Sequence, residues 1–333
     1  MSAALLGRPE LSAVDIAERT GVSPAQAGRF WQALGFPGVA DEDRFFTQKD
    51  ADMLRAAAAI LEHETLAPDV LLQMTRATGQ ALARVATMHA LSITDDIVAV
   101  MRAQDMREND RADAIATLAE SLLRSHEPFL GYIWRRHMLA AIMQTIATAN
   151  DRASGEETGT VGFADLVGFT ATSQQLSEHE LAQMVERFEQ IGYDHIPDRG
   201  GRVVKILGDE IMFTNPDIHA AADTALALAE ACEADASIPD VRVGLALGPM
   251  LAWEGDVYGN TVNLASRLVG IANPGTVLLS YELGQRLSTD AAFSVHEIRE
   301  TKLKGIGRTK LWVLRRPEPQ RDKREKKKKR HRE

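Results

Sequence analysis

Two aspartates, Asp165 in FADLVGFT and Asp209 in KILGDEIMF, each lie in a short apolar stretch with a glycine nearby. Carboxylates are rarely found at the ends of apolar strands unless something binds them there. Two such oxygen ligands on neighbouring strands would form a site for two Mg²⁺ or Mn²⁺ ions, which can activate a hydroxyl group against a phosphate. The alternative is that one aspartate caps a helix and the other belongs to a hairpin turn.

Four further residues could act with these aspartates. Lys205 lies four positions before Asp209, in VVKILGDE. Asp256, Asn263 and Arg267 lie in GDVYGNTVNLASRL, and the last two are one helical turn apart, so they share a helix face. Taken singly, each has a structural explanation: an edge-strand lysine, a turn aspartate, a polar helix position and a surface ion pair. All of them together, at this spacing, favour a common chemical site.

The elements that must position these residues lie in the second half of the chain. Short β-rich runs such as TVGFADLV, GRVVKILG and VRVGLALG alternate there with helical segments. The order strand, helix, hairpin, helix, strand predicts an α+β sheet of the ferredoxin-like type at residues 160–316. The polar stretch DRASGEETG before it, at 151–159, predicts a linker.

Residues 1–150 have apolar side chains at helical spacing almost throughout, which predicts an all-helical domain. The first part, LSAVDIAERTGVSPAQAGRFWQALGFPG, resembles the helix-turn-helix of MerR-type regulators. A DNA-reading helix should present basic and amide groups, but this one offers only Gln26, Arg29 and Gln32, and Phe30 and Trp31 have the character of packing residues. We therefore expect a protein-contact or sensing role, and we do not expect nucleic acid as a partner.

Composition sets further bounds. The 333 residues, 45% of them hydrophobic, predict two globular domains. No run of residues is long and apolar enough for a membrane span, and no secretory signal is visible. The single cysteine, Cys232, excludes an internal disulfide, so we expect a reducing cytoplasm. The tail at 317–333 carries a dense basic run, which predicts a disordered, solvated segment that could also touch nucleic acid or anionic lipid.

The motifs of the second half resemble those of the class III nucleotidyl cyclases, over about residues 160–315. In that family the two aspartates that bind metal match Asp165 and Asp209. The lysine and the aspartate that recognise adenine match Lys205 and Asp256. The resemblance therefore implies a class III cyclase catalytic domain, preceded here by an all-α regulatory domain.

The same resemblance assigns the remaining site residues. The asparagine and the arginine that stabilise the transition state match Asn263 and Arg267. The resemblance also places Leu166, next to Asp165, at the metal site. Lys304, in KLKGIGRTK, is similar to the family's phosphate-binding lysine, with the neighbouring Lys302 as the alternative.

The resemblance implies an adenylate cyclase that converts ATP to 3′,5′-cyclic AMP and pyrophosphate with two Mg²⁺ or Mn²⁺ ions per site. Adenine presents an acceptor at N1 and a donor at its 6-amino group, whereas guanine reverses both, so Lys205 and Asp256 favour ATP over GTP. Two alternatives stay open at this point. One is a guanylate cyclase, and the other is a non-enzymatic nucleotide-sensing regulator that binds DNA through its helix-turn-helix.

The family's sites are shared between two subunits, so the resemblance implies a symmetric homodimer with two active sites. One subunit gives the metal-binding aspartates, and the other gives the adenine-binding and transition-state residues. Lys205 and Asp209 lie four positions apart across a sharp hairpin (ILGD), which makes it difficult for both to face one small ligand from the same chain.

The helical half resembles that of soluble mycobacterial-type cyclases whose N-terminal domain regulates catalysis according to pH. Histidine is the side chain whose charge changes nearest neutral pH. The candidates for proton sensing are His63, His89, His126 and His137, although a single histidine in such a position is more often a surface or packing residue. Helices rich in leucine, methionine and alanine could also enclose a lipid-like effector.

Overall fold

The computed structural model of the protein describes residues 6–38, 40, 42–62, 66–104, 108–148, 157–253 and 255–317. The chain forms two compact units, Met1–Ala149 and Asn150–Glu333. The first strand of the second unit begins at Glu157, so residues 157–159, which the sequence assigned to the linker, belong to a sheet. The rest of the predicted linker and the tail from 318 onward lie outside the described residues.

The first unit is built from helices in its described part, with an isolated bridge between Leu11 and Phe46. The helices are α1 (Ala13–Thr20), α2 (Pro24–Ala33), α3 (Gln48–Glu62), α4 (Pro68–Gln104) and α5 (Glu108–Thr148). Ser12 and Ser23 cap α1 and α2 through capping boxes, and Gly21 ends α1 with a left-handed φ of 73°.

The second unit is an eight-stranded sheet with helices on both faces. Its strands are β1 (Glu157–Leu166), β2 (Arg202–Leu207), β3 (Glu210–Asn215), β4 (Val241–Trp253), β5 (Asp256–Tyr258), β6 (Val277–Leu279), β7 (Ser294–Leu303) and β8 (Gly307–Arg315). Its α-helices are α6 (Phe169–Ser173), α7 (Glu178–His195), α8 (Ile218–Glu233), α9 (Asn260–Val269) and α10 (Tyr281–Leu287).

The strand order is β2-β3-β1-β4-β6-β8-β7, with β5 paired to β4. Within it, β1, α7, β2, β3, α8 and β4 follow one another along the chain and give the sheet order β2-β3-β1-β4, which is the ferredoxin-like arrangement. All pairs are antiparallel except β4 with β6. The α+β fold that the sequence predicted, preceded by a helical region, is confirmed.

The two faces of the sheet bury different residues, because side chains alternate along a strand. On β1, Ala164 and Leu166 pack with α7, α8 and α10. Val161 and Phe163 point to the other face and pack with α9. Asp165 continues this second series, so it lies on the face that α9 covers.

Helix α9 lies unusually close to the sheet. A Cβ atom on Gly244 of β4 would stand 2.4 Å from the backbone nitrogen of Val269 and 2.7 Å from the Ala265 carbonyl. Any side chain at that position would push the helix away. Among the described helices, none is both long and apolar enough to cross a membrane.

Candidate active site

The hairpin between β2 and β3 carries Asp209 at its tip. Gly208 and Asp209 form the two-residue connection, and Gly208 adopts a φ of 65°, in the region that favours glycine. The amide of Leu166, the last residue of β1, donates to the Asp209 carbonyl at 3.0 Å. This bond fixes the tip of the hairpin beside the end of β1.

Asp165 lies next to this tip, opposite Glu210 of β3 and Arg242 of β4. Arg242 holds its carboxylate, with Nε at 2.6 Å and Nη2 at 2.5 Å from Oδ2. Burial raises the pKa of Asp165 above its ordinary value; Arg242 acts against this, and the nearby charge of Asp209 adds to it. The structure therefore brings the two predicted metal ligands together.

Arg242 is the residue that the sequence reasoning missed. It is the one charged residue in VRVGLALG, and its neighbours Val241 and Val243 are fully buried. A charge kept inside an otherwise apolar strand requires a partner. That signal could have identified Arg242, although its partner, 77 positions away, depends on the register between β1 and β4.

Lys205 and Asp256 form a second ion pair, with Nζ 2.6 Å from Oδ2. Burial raises the pKa of Asp256, but the bond from Lys205 and the amide of Val257 outweigh it, so the net pKa is lowered. Arg202 donates to the Gly255 carbonyl at 3.1 Å and so holds the turn before Asp256. Lys205 lies opposite Met212, which packs on the face of the sheet that α9 covers. The Lys205–Asp256 ion pair therefore lies on the same side of the sheet as Asp165.

Asn263 and Arg267 lie on the outer side of α9, one turn apart, and both are exposed. The inner side of the same helix is formed by Thr261, Ala265 and Leu268, all buried. Among the hydrogen bonds and ion pairs of the described residues, none involves the side chain of Asn263 or Arg267. Both groups are therefore available to a ligand.

Residues 152–316 match the family described as the adenylate and guanylate cyclase catalytic domain. An adenylate cyclase of Streptomyces coelicolor is 36% identical over 81% of this chain and 70% of its own length. The chain belongs to the adenylate and guanylate cyclase family. The prediction that it is an enzyme of the cyclase type is confirmed by this membership.

Other cyclases match over similar lengths. A protein of Mycobacterium tuberculosis named pH-sensitive adenylate cyclase is 30% identical over 83% of this chain and 70% of its own length. Among solved structures, the guanylate cyclase domain of RhGC from Catenaria anguillulae, in complex with GTP, is 22% identical. The matched region covers 49% of this chain and 98% of that domain, with a TM-score of 0.45.

Two residues of this cyclase were assigned only from the family resemblance. The Leu166 side chain is 1% exposed and apolar, so only its backbone carbonyl could serve a metal ion. Lys304 lies in the turn between β7 and β8, at the opposite edge of the sheet from Lys205. Lys302 is exposed as well, at the end of β7, so the choice between the two lysines stays a prediction.

The short helix α6 follows Asp165 closely along the chain. Gly168 begins α6 with a left-handed φ of 72°. A Cβ atom there would meet no other atom within 4 Å, so the backbone angle and not close packing explains the glycine.

A divalent metal ion fits the donor set of this cyclase. The carboxylates of Asp165 and Asp209 are the hard oxygen ligands that Mg²⁺ and Mn²⁺ prefer. They are close enough for the charge of Asp209 to raise the pKa of Asp165. Glu210 is a third acid, and its pKa is raised by burial and by the charges of both aspartates. Concentrated negative charge of this kind is relieved by a cation. Within the described residues no group of three metal-ligating side chains is preformed, so phosphate or water oxygens would complete the coordination.

Proposed function

We propose that this cyclase converts ATP to 3′,5′-cyclic AMP and pyrophosphate. The observation that carries the proposal is the Lys205–Asp256 pair, which presents an ammonium and a carboxylate at 2.6 Å from each other on the site's face of the sheet. The ammonium complements N1 of adenine and the carboxylate its 6-amino group, whereas guanine has the opposite polarity at both atoms. The adenylate cyclase of S. coelicolor is consistent with this choice of base.

The reaction joins the 3′-oxygen of ATP to the α-phosphorus, releases the hydroxyl proton and breaks the bond to the pyrophosphate. Asp165 and Asp209 would hold two Mg²⁺ or Mn²⁺ ions, which supply activation of the hydroxyl and neutralisation of the leaving group. Arg267 places a fixed cation against the charge that develops on the α-phosphoryl oxygens. Asn263 orients the ribose so that attack is in line.

Arg242 also has a role in this proposal. Its guanidinium neutralises the Asp165 carboxylate through two contacts to one oxygen. If Asp165 gives up this pairing to hold a metal ion, the guanidinium would be free to bind two phosphate oxygens at once as a planar donor.

We further propose that two chains share each site in a homodimer. Asn263 and Arg267 lack partners among the described residues, while Lys205 is already bound within its own chain. Exposed apolar side chains also mark the β4–β5 ribbon and the β2–β3 hairpin: Leu207 is 58%, Leu251 59% and Trp253 50% exposed. Exposed apolar groups on the elements that carry a site favour a surface that another protein chain covers.

Mixing two inactive variants tests both proposals. Asp209→Ala removes a metal ligand and Arg267→Ala removes the transition-state cation, so each homodimer should form no cyclic AMP. If the sites are shared, a hybrid dimer has one intact site, and random exchange should restore roughly a quarter of the wild-type rate. Absence of product from wild-type chain with ATP and Mn²⁺ would refute the reaction. Absence of rescue in hybrids that are shown to form would refute the shared site.

The helical unit is proposed to regulate catalysis. His89 of α4 and His126 of α5 are in edge-to-face contact, with ring centroids 4.7 Å apart, and His126 also contacts Phe129. Two imidazolium charges at that distance repel by about 1 kcal/mol even in water, so acidification would weaken the contact between the helices. The M. tuberculosis relative named as pH-sensitive supports this idea. His137 is exposed, and His63 lies outside the described residues.

The regulatory proposal is tested on the full chain. The pH profile of cyclic AMP formation is compared for the wild type and for His89→Gln with His126→Gln, and His137→Gln serves as the control. We expect the double variant to flatten the dependence of the rate on pH, because it removes the contact between the two imidazole rings. A profile unchanged from that of the control would contradict a role for this pair.

DNA binding is not favoured by the structure of α2. The side chain of Gln26, one of three polar groups available to a groove, accepts bonds from the amide and the hydroxyl of Ser23 in the capping box. Only Arg29 and Gln32 are left among those three, which is too little for direct reading of bases.

A further inference from the structure

The start of α9 has no side-chain cap. Helices α1, α2 and α7 each begin with a serine that caps the helix through its side chain. Helix α9 begins after Gly259, which has no side chain to cap it. Its first turn must be fixed by another contact, because free amide groups at a helix start otherwise allow the turn to fray.

Thr261 makes that contact. It is 5% exposed, and its hydroxyl donates to the carbonyl of Pro249 in β4 at 2.6 Å. Pro249 has no amide hydrogen and lies one residue before the end of the pairing between β1 and β4. The neighbouring Gly248 leaves the necessary space, since a Cβ atom there would stand 2.7 Å from the threonine oxygen.

This contact lies between the residues proposed to bind the base and those proposed to act on the phosphate. Asp256 precedes Thr261 by five positions, through the short strand β5, and Asn263 and Arg267 follow it on the same helix. Thr261 points inward to the sheet while Asn263, two positions on, points outward. Movement of the first turn against β4 would therefore shift Asn263 directly and tilt the turn that carries Arg267.

We propose that Thr261 is a positioning residue for the cyclase reaction, whose bond to the Pro249 carbonyl fixes the register of α9 and so the placement of Asn263 and Arg267. It does not touch the substrate. The proposal rests on the proposed function, because the reaction is what makes that placement matter. Misplacement of a reacting group by about 1 Å can lower a rate by about 100-fold.

Three variants of the full chain separate this role from simple packing. Thr261→Val keeps the shape and removes the hydroxyl, and Thr261→Ser keeps the hydroxyl. Thr224→Val is the matched control, because Thr224 is also buried and its hydroxyl also bonds a backbone carbonyl, that of Ala220 at 2.7 Å in α8.

With ATP and Mn²⁺, we expect Thr261→Val to lower kcat by about 10- to 100-fold while KM changes less than about threefold. Thr261→Ser should return kcat to within about threefold of the wild type, and Thr224→Val should keep the wild-type kcat. A Thr261→Val kcat equal to that of Thr224→Val would overturn the proposal, as would failure of the serine to restore the rate.

Hybrid dimers then show which half of the site Thr261 serves. Thr261→Val mixed with Asp209→Ala should recover activity, because one hybrid site receives an intact α9. Thr261→Val mixed with Arg267→Ala should not recover, because every site then has a defective α9. The reverse pattern would overturn the assignment. Absence of cyclic AMP from the wild-type chain is a different result, which refutes the proposed function itself.

Discussion

Exchange of the polarity of the Lys205–Asp256 pair is the most direct test of how the base is chosen. In Lys205→Glu with Asp256→Ser, a carboxylate replaces the ammonium and a hydroxyl donor replaces the carboxylate. The new groups suit N1–H and O6 of guanine and are mismatched to adenine. We therefore expect the ratio of kcat/KM for ATP to that for GTP to fall.

The expected size follows from the geometry of the pair. Hydrogen bonds to charged groups contribute about 1.5–3 kcal/mol when they are well buried. Here 37% of the Lys205 side chain and 25% of the Asp256 side chain are exposed, so solvent screens both contacts. We therefore take about 1–1.5 kcal/mol for each contact. Two contacts give about 2–3 kcal/mol, which lowers the ATP to GTP ratio by about 30- to 150-fold.

The assay measures cyclic AMP and cyclic GMP from each nucleotide with Mn²⁺ in excess. A matched control is available in the ion pair between Lys310 and Glu297, 2.8 Å apart on β8 and β7. Lys310→Glu with Glu297→Ser makes the same charge changes on the exposed β7–β8 hairpin, and it should leave the ratio unchanged. The thermal midpoints of both double variants show whether folding is retained.

One result would refute the reasoning. If the exchanged variant is folded and still active, and its ratio stays within about threefold of that of the control, Lys205 and Asp256 do not read the base. If the exchanged variant is instead inactive towards both nucleotides, it is mixed with each single variant in turn. Asp209→Ala should then restore activity, and Arg267→Ala should not.

Two further predictions concern the stability and reactivity of the chain. Gly284→Ala should lower the free energy of unfolding by about 1–3 kcal/mol in urea denaturation, because the new Cβ would lie 2.1 Å from Cγ of Trp312. Gly131→Ala in α5 should not destabilise the chain, because its Cβ would meet only the end of the Arg135 side chain, at 3.9 Å. Burial raises the pKa of the Cys232 thiol to about 12, so iodoacetamide at pH 8 should label this residue only after denaturation. Labelling is followed by mass spectrometry, and a labelled Cys232 in the folded chain would contradict the prediction.

The strands that carry the site could be read from the sequence because they are buried on both faces. The run IMFTN in β3 and VGLALG in β4 are continuously buried, so their apolar character is strong. The sequence of β7 gives only a weak strand signal, because it is an edge strand in which charged and exposed residues outnumber apolar ones. The linker was drawn three residues too long because 157–159 are polar or glycine, although Glu157 pairs with Met250.

The candidate site was predictable to the extent that it depends on residue types. Asn263 and Arg267 share a helix face because of their spacing, whereas the joint role of Asp165 and Asp209 was implied by the resemblance to the cyclases. Two contacts could not be read from the sequence. The ion pair of Arg242 with Asp165 depends on strand register, and the hydrogen bond of Thr261 to Pro249 depends on how closely α9 approaches β4. Contacts of this kind are set by packing between segments far apart in sequence.

The charges of the site also suggest how binding energy is distributed in the proposed reaction. Asp165 is paired with Arg242 and Lys205 with Asp256, so both the metal ligand and the base reader must exchange an existing partner for the substrate. That exchange lowers the net gain from ground-state binding, because each new contact replaces an old one. Arg267, by contrast, has no partner to lose among the described residues, so its full interaction is available when charge develops on the α-phosphoryl oxygens. An arrangement of this kind favours the transition state over the bound substrate, which is the condition for a rate increase.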